Sequence, residues 1–519
     1  MPGEDPVKDP ADPLGRLVVV PVRLPGDYGK LEDLRRAVGE DGVGGILLFG
    51  GDLDLTPRFL DRLRKSARHP LLVMSDVERG VGQQIDGCLR HPPGMAVGAL
   101  RDPSAAYALG AATALECRRV GIDMALAPVL DLYNEPANPI VVTRSFGEDP
   151  ELVSLLGVAW IEGCQEEGVL ACAKHFPGHG RTLADSHDSL PRVEASAREI
   201  RTRDLAPFAR AVASGVASVM TAHVAYPALD PDASPDTPAT LSRRILSGIL
   251  REELSFDGLV LTDALIMEGV RRGAGEGAAA VEALAAGCDI LLCPTDHREI
   301  VRAVEGALQA GRLDPAAVRV AIGRVDAALK VLGDRPTARE LGGMDEYRAY
   351  AMAKASVTTL RDPGRRLPLA PARPAEVLAV ILDDDDRPGR EEPVQERREE
   401  FGAGILRRTP KHSESNEVLG RCAVAERIFV FLYGDVRAWK GRAGLAPELA
   451  SLLLDIEGRF ADRAVLVSFG NPGLAGEEGK APAVCAWDDS PLVQRAALDL
   501  LLAGRAPTGR PPWGPDPLE

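Results

Sequence analysis

The stretch VLACAKHFPGHGRTLADSHDSLP, residues 169–191, changes character in its middle. Its opening is apolar and ends in Lys174 and His175, with no alternation of polar and apolar positions. A short run of that kind reads as a strand buried on both faces, as in a parallel sheet. The remainder is irregular, because Pro177, Gly178 and Gly180 interrupt any helix. The same stretch holds His175, His179 and His187, out of eight histidines in the chain.

The apolar run is one of a series: LVVVPV (17–22), GGILLF (44–49), LLVMSD (71–76), ALAPVLD (125–131), VLACAKH (169–175), SVMTAHV (218–224), LVLTDA (259–264) and DILLCP (289–294). Helical patterns separate them. DPSAAYALGAATALECRRVG (102–121) and DPELVSLLGVAWIEGCQEEG (149–168) each start at an Asp suited to cap a helix and end at a Gly. Strand–helix units repeated in this way predict an α/β fold, a (β/α)8 TIM-type barrel, over residues 1–340. A doubly wound open sheet is the alternative, weakened because no G-x-G-x-x-G follows the first strand. A helical connector and Pro/Arg-rich linker, 341–375, lead to a smaller α/β sandwich domain, 376–519. Its strands are read at VLAVIL (377–382), RIFVFLYG (427–434), AVLVSFG (464–470) and VCAW (484–487). The charged stretch DDDDRPGREEPVQERREE (383–400) reads as a solvated loop and helix face.

The chain has 519 residues and a net charge of −16, which argues against nucleic acid or acidic membranes as partners. No apolar run is long enough to span a membrane. The N-terminal MPGEDPVKDPADPLG lacks the basic and apolar regions of a signal peptide. Eight cysteines without a C-x-x-C pair, mostly in apolar runs, read as buried thiols, so a cytoplasmic location is expected.

In a barrel, chemistry gathers at the C-terminal ends of the strands. Five successive runs end near titratable residues: Asp76, Asp131, Lys174 with His175, His223, and Asp263. Each alone could be structural; together they outline a polar pocket over an apolar floor. His175 and His179 are spaced like helical zinc ligands, but the Pro and Gly between them remove the helix that would align the rings, so no metal is expected. A loop with purely structural histidines is a second reading. The third is catalysis: Asp185 stands two residues from His187, close enough in a turn for the carboxylate to orient the ring and steady its protonated form.

These residues resemble a known family. KHFPGHGRTLADSH (174–187) is similar to the K-H-F-P-G-H-G-D-T-x-x-D-S-H signature of the β-N-acetylglucosaminidases of glycoside hydrolase family 3. APVLDLYNEPANPIVVTRSFGEDP (127–150), VMTAHVAYPALD (219–230) and PATLSRRILSGILREELSFDGLVLTDALIM (238–267) resemble further segments of that family, in the same order. The resemblance is strong over about 70–330 and weak beyond. It implies a retaining exo-β-N-acetylhexosaminidase that removes terminal GlcNAc without a cofactor. Asp263 would be the nucleophile, His187 the acid/base and Asp185 its partner. Asp76, Arg144, Lys174, His175 and His223 would contact the sugar. The implied substrate is a GlcNAc-terminated oligosaccharide or a muropeptide, as in peptidoglycan recycling. A family 3 β-glucosidase or β-xylosidase, a GlcNAc phosphorylase, and an inactive sugar-binding protein are the alternatives. The chain departs from the pattern in places: Arg181 replaces the usual Asp, SDVERGVGQQI (75–85) keeps Asp76 and Glu78 but loses a glycine and the arginines of D-Q-E-G-G-R-V-x-R, so that Gln84 falls where a sugar-contacting Arg is common, and TDA stands at 262–264 for SDD.

Overall fold

The computed structural model describes residues 14–184, 186, 189–271, 275–333, 346–370, 372–434, 444–476 and 479–514. The chain forms two compact units. The first comprises Met1–His91, Ala106–Leu132 and Gly157–Gly343; the second comprises Pro92–Ala105, Tyr133–Leu156 and Met344–Glu519.

The first unit contains β1 (Val18–Arg23), β2 (Gly45–Phe49), β3 (Leu72–Ser75), β4 (Met124–Ala125), β5 (Leu170–Phe176), β6 (Ser218–Thr221), β7 (Leu259–Leu261) and β8 (Leu291–Leu292). All eight predicted runs supply a strand, and their lateral order is β7-β6-β5-β4-β3-β2-β1-β8. Every neighbouring pair is parallel. A parallel bridge between Leu261 and Ile290, with Thr262 N donating to Ile290 O at 3.0 Å, joins the two ends. The barrel prediction holds and the open sheet does not. β4 is much shorter than the run at 125–131. Beyond it the chain keeps irregular bonds to β5, with Pro128 offering a carbonyl to Lys174 N at 3.2 Å but no N–H of its own.

Helices return the chain between strands. Those at Pro103–Val120 and Pro150–Glu166 start as expected, with Asp102 accepting from Ser104 N at 2.9 Å and Asp149 from Glu151 N at 3.1 Å. Glycines in the left-handed region follow them, Gly121 at φ 99° and Gly168 at φ 79°. Seven of the eight cysteines are buried, and none is in a disulfide. No described helix is long and apolar enough to cross a membrane.

The second unit has a six-stranded sheet: β9 (Thr358–Arg361), β10 (Val377–Asp383), β11 (Gly404–Arg408), β12 (Arg427–Gly434), β13 (Ala464–Gly470) and β14 (Ala483–Cys485). The order is β11-β10-β12-β13-β14-β9, parallel except for the antiparallel edge strand β9. The charged stretch at 383–400 differs from its reading as solvated. Asp383, Asp384 and Arg390 are buried. Arg390 bonds Asp489 at 2.5 Å and Asp385 at 2.9 Å, and Arg407 bonds Asp383 at 2.6 Å. The arginines neutralise the acids and make their burial tolerable.

One buried group in the first unit has no such compensation. His91 is fully buried, and neither ring nitrogen reaches a hydrogen-bond partner among the described residues. Burial pushes its pKa down to about 4. Above pH 6.5 the ring is neutral in both folded and unfolded chains. As pH falls towards 4, the unfolded chain takes up a proton that the folded chain refuses, and stability is lost. His91→Leu is expected to remove up to about 3 kcal/mol of this acid sensitivity, read as a flatter curve of unfolding free energy against pH between 6.5 and 4.

Candidate active site

The polar strand ends of the first unit are tied to one another. Lys174, near the end of β5, is buried and bonds Asp76 at 2.6 Å and Glu78 at 2.7 Å, just beyond β3. Gln84 spends its side chain on backbone. Its amide donates to Asp76 O at 3.1 Å, and its carbonyl accepts from Gly50 N at 3.2 Å. It is therefore a brace for Asp76.

Asp131 carries the next connection. It is fully buried, and its Oδ1 accepts from His175 N at 3.1 Å and His179 N at 2.7 Å. Its Oδ2 meets His175 Nδ1 at 2.7 Å. Burial is the largest influence on this carboxyl and would raise its pKa. His175 and His179 outweigh it, and the net shift is downward. The carboxylate thus fixes the start of the loop after β5. Gly180 allows the loop to approach, because a Cβ there would lie 1.8 Å from Leu132 O. Tyr226 OH donates to Gly178 O at 2.6 Å. Arg181 bonds Asp204 at 2.9 Å and Glu199 at 2.8 Å, so it anchors the loop from outside.

Asp185 and His187 lie outside the described residues. Ser186, between them, is described and buried. Its Oγ meets His179 Nε2 at 3.0 Å, and its carbonyl accepts from Gly269 N at 3.2 Å. Burial and His175 push the His179 pKa down to about 4, so this ring is a neutral link between hydroxyls, with Thr182 Oγ1 at 2.9 Å from its Nδ1.

Asp263 follows β7, partly exposed, and its Oδ1 accepts from Ala264 N at 2.7 Å. His223 is fully buried; its Nδ1 meets Thr240 Oγ1 at 2.7 Å and its Nε2 meets Ala264 O at 3.2 Å. It supports the backbone beside Asp263. Lys174, Asp76 and Asp263 all act electrostatically on the thiol of Cys172, which burial pushes up to about 12. Cys293, after β8, senses Asp76, Arg23 and Asp263. Asp76, Lys174 and Asp263 lie at or just beyond the C-terminal ends of strands in one parallel barrel, so their charges share one end of it, where strand-end chemistry is expected. Arg144 belongs to the second unit, in the turn Val142–Arg144, and donates to Ile140 O at 3.3 Å.

Residues 13–328 match the model of the glycosyl hydrolase family 3 N-terminal domain. The chain belongs to glycosyl hydrolase family 3. It is a glycosidase with a carbohydrate substrate. Its relatives include Beta-hexosaminidase A of Pseudoalteromonas piscicida, 31% identical over 68% of this chain and 64% of that one. Beta-hexosaminidase of Pseudomonas aeruginosa is 40% identical over 53% of this chain and 81% of that one. Among solved structures, a family 3 β-N-acetylglucosaminidase from Paenibacillus sp. str. FPU-7 superposes with a TM-score of 0.84 at 28% identity, covering 97% of this chain and 98% of that one. A β-glucoside phosphorylase shares the fold with a TM-score of 0.84 at 22% identity, covering 98% and 94% of the two chains.

Sequence reasoning does not assign Glu78, His179 or Ser186 to the site. Glu78 is visible in the sequence as a second acid after β3. Ser186 is hidden by its neighbours, whose side chains have the more obvious chemistry.

Removing Asp131 strands a buried imidazole and two backbone N–H groups. Asp131→Ala is expected to cost about 3–5 kcal/mol in urea unfolding at neutral pH, and Asp131→Asn less, because the amide oxygen can still accept from backbone. The stabilisation is present above the usual carboxylate range and lost as pH falls through the lowered folded pKa.

Proposed function

We propose that this enzyme is a retaining exo-β-N-acetylhexosaminidase that removes terminal GlcNAc, with Asp263 as nucleophile, His187 as acid/base and Asp185 as the residue that orients it. The observation that carries the reading is the docking of Ser186. The segment bearing the Asp–x–His pair is tied there to Gly269, a few residues after Asp263. On this reading His187, the next residue in the sequence after Ser186, and Asp263 serve the same glycosidic bond.

Asp263 attacks the anomeric carbon, forming a carboxylate ester to C1 as the C1–O bond to the leaving group breaks. His187 gives its proton to the departing oxygen. Water then attacks C1, His187 takes its proton, and the ester bond to Asp263 breaks. An imidazole with an ordinary pKa of about 6.5 suits both duties near neutrality. Within the first unit, Asp76, Lys174 and His175 are proposed to hold sugar hydroxyls, and His223 to keep the Asp263 strand end in place. The excess of acids around Lys174 favours the positive charge that develops on the sugar in the transition state. Residues 1–340 would carry most of this chemistry, 341–375 the connection, and 376–519 a separate α/β domain. Muropeptide or chitin fragments in the cytoplasm, as in peptidoglycan recycling, are the proposed substrates.

The test is hydrolysis of p-nitrophenyl β-GlcNAc beside the corresponding glucoside and xyloside, with and without phosphate. GlcNAc release with retained anomeric configuration is expected. Asp263→Asn should lower kcat by roughly 10⁴-fold or more, and His187→Ala by about 10²–10⁴-fold. Cleavage of the glucoside alone, or a sugar 1-phosphate as the main product, would overturn the assignment.

A further inference from the structure

The second unit contains a cavity of about 440 Å³ that the proposed chemistry does not use. Its wall includes Tyr133, Asn134, Glu148, Pro472, Gly473 and Trp513. The volume suits one or two sugar rings. Tyr133 and Trp513 stand with ring centroids 5.4 Å apart at 48°. Trp513 also meets Trp487 edge-on at 5.7 Å, and Trp487 is itself fixed by Nε1 donating to Ser356 O at 2.7 Å. The indole of Trp513 is partly exposed, so part of its surface remains available.

The chain around Trp513 is strapped down. Pro512 O accepts from Glu148 N at 2.9 Å, and Arg510 N donates to Ala99 O at 3.0 Å. Gly514 N donates to Glu148 Oε2 at 3.3 Å. Gly147 has φ 152°, and a Cβ there would strike Pro512. The aromatic wall is therefore rigid, which reduces the entropy lost when a ligand stacks on it.

The charge of the wall selects the ligand. Arg361, also in the wall, is engaged by Ala475 O at 2.7 Å, Ala481 O at 3.1 Å and Glu457 at 2.7 Å. Its charge is balanced, so it offers an anion little. The rest of the wall joins two aromatic rings, prolines, a leucine and glycines to the amide of Asn134 and the carboxylate of Glu148. That combination fits a neutral pyranose, whose C–H face stacks on an aromatic ring while its hydroxyls reach polar groups.

We infer that this cavity is a carbohydrate-binding site of the second unit that holds a sugar ring of an amino-sugar oligosaccharide. The choice of amino sugar rests on the activity proposed above; the presence of a sugar subsite does not.

The experiment uses the full chain carrying Asp263→Asn, titrated with GlcNAc, chitotetraose and cellotetraose by calorimetry and tryptophan fluorescence. Trp513→Ala, Asn134→Ala and Glu148→Gln are added in turn, with near-ultraviolet circular dichroism to show that each folds. Chitotetraose affinity is expected to fall roughly tenfold in Trp513→Ala and severalfold in the polar variants. In the enzyme with Asp263 intact, p-nitrophenyl β-GlcNAc hydrolysis should change less than about twofold for the same substitutions. Should Trp513→Ala fail to fold, the two polar variants decide. Unchanged affinity for both tetrasaccharides in the folded variants overturns the subsite. So does an equal loss on p-nitrophenyl β-GlcNAc and on the tetrasaccharides. Binding of cellotetraose alone, weakened by the same substitutions, sustains the subsite and rejects the amino-sugar activity. Full turnover by Asp263→Asn rejects the proposed nucleophile, while the change in tetrasaccharide affinity still decides whether the cavity is a subsite.

Discussion

The buried carboxylate of Asp131 sets the geometry of the barrel end. An ionised acid without water is costly, and this one is held by two backbone N–H groups and an imidazole. The donors come from His175 and His179, so one side chain fixes both the last part of β5 and the first turn of its loop. Lys174 immediately precedes His175, which constrains where its ammonium can meet Asp76 and Glu78. His179 in turn reaches Ser186. A chain of contacts therefore runs from a group with no solvent exposure to the segment proposed to perform acid–base catalysis. The buried acid contributes order where a glycine-rich loop would otherwise have many conformations.

The barrel is legible in the sequence because its strands are buried on both faces. Residues 170–173 and their counterparts carry apolar side chains in succession, a pattern that loops on a surface do not maintain. Within the barrel, β4 departs most from its predicted bounds, for a local reason. The apolar run continues through Pro128, but a residue without an N–H cannot sustain the ladder. In the second unit, the central strands β12 and β13 have the bounds that the sequence predicts. β9 and β11 escape prediction. Both are edge strands, and β11, GILRR, is only half-buried along its length, so its apolar signal is weak.

The charged stretch after β10 shows a different limit. Composition suggests solvation for four consecutive aspartates, and Asp386 is indeed partly exposed. Asp383 and Asp384 are buried because partners remote in sequence compensate them. Ala446 N donates to Asp384 at 2.6 Å, while Arg390 also bridges to Asp489, 99 residues away. Local patterning carries no record of such pairs. The site shows the same asymmetry. Asp76, Lys174, His175 and Asp263 are legible as polar residues that end apolar strands, whereas the bracing roles of Gln84 and His179 depend on tertiary contacts.

Those contacts also explain what Arg181 and Gln84, two of the departures from the family pattern, do. A basic residue at 181 would be expected to change the charge of a sugar pocket if it pointed there. Arg181 instead pairs with Glu199 and Asp204, and Asp204 is buried with its carboxyl pushed up by burial against the pull of Arg181. Its charge is balanced within the loop's anchor. Gln84 likewise uses its amide on the backbone of Asp76 and Gly50. Neither substitution supplies a free cation among the described first-unit residues that gather around Asp76 and Asp263. Lys174 faces two carboxylates there, with Asp263 acting on the same buried thiol. An excess of negative charge attracts the developing cation on a sugar ring and repels an incoming phosphate. The fold shared with a phosphorylase does not by itself assign the acceptor.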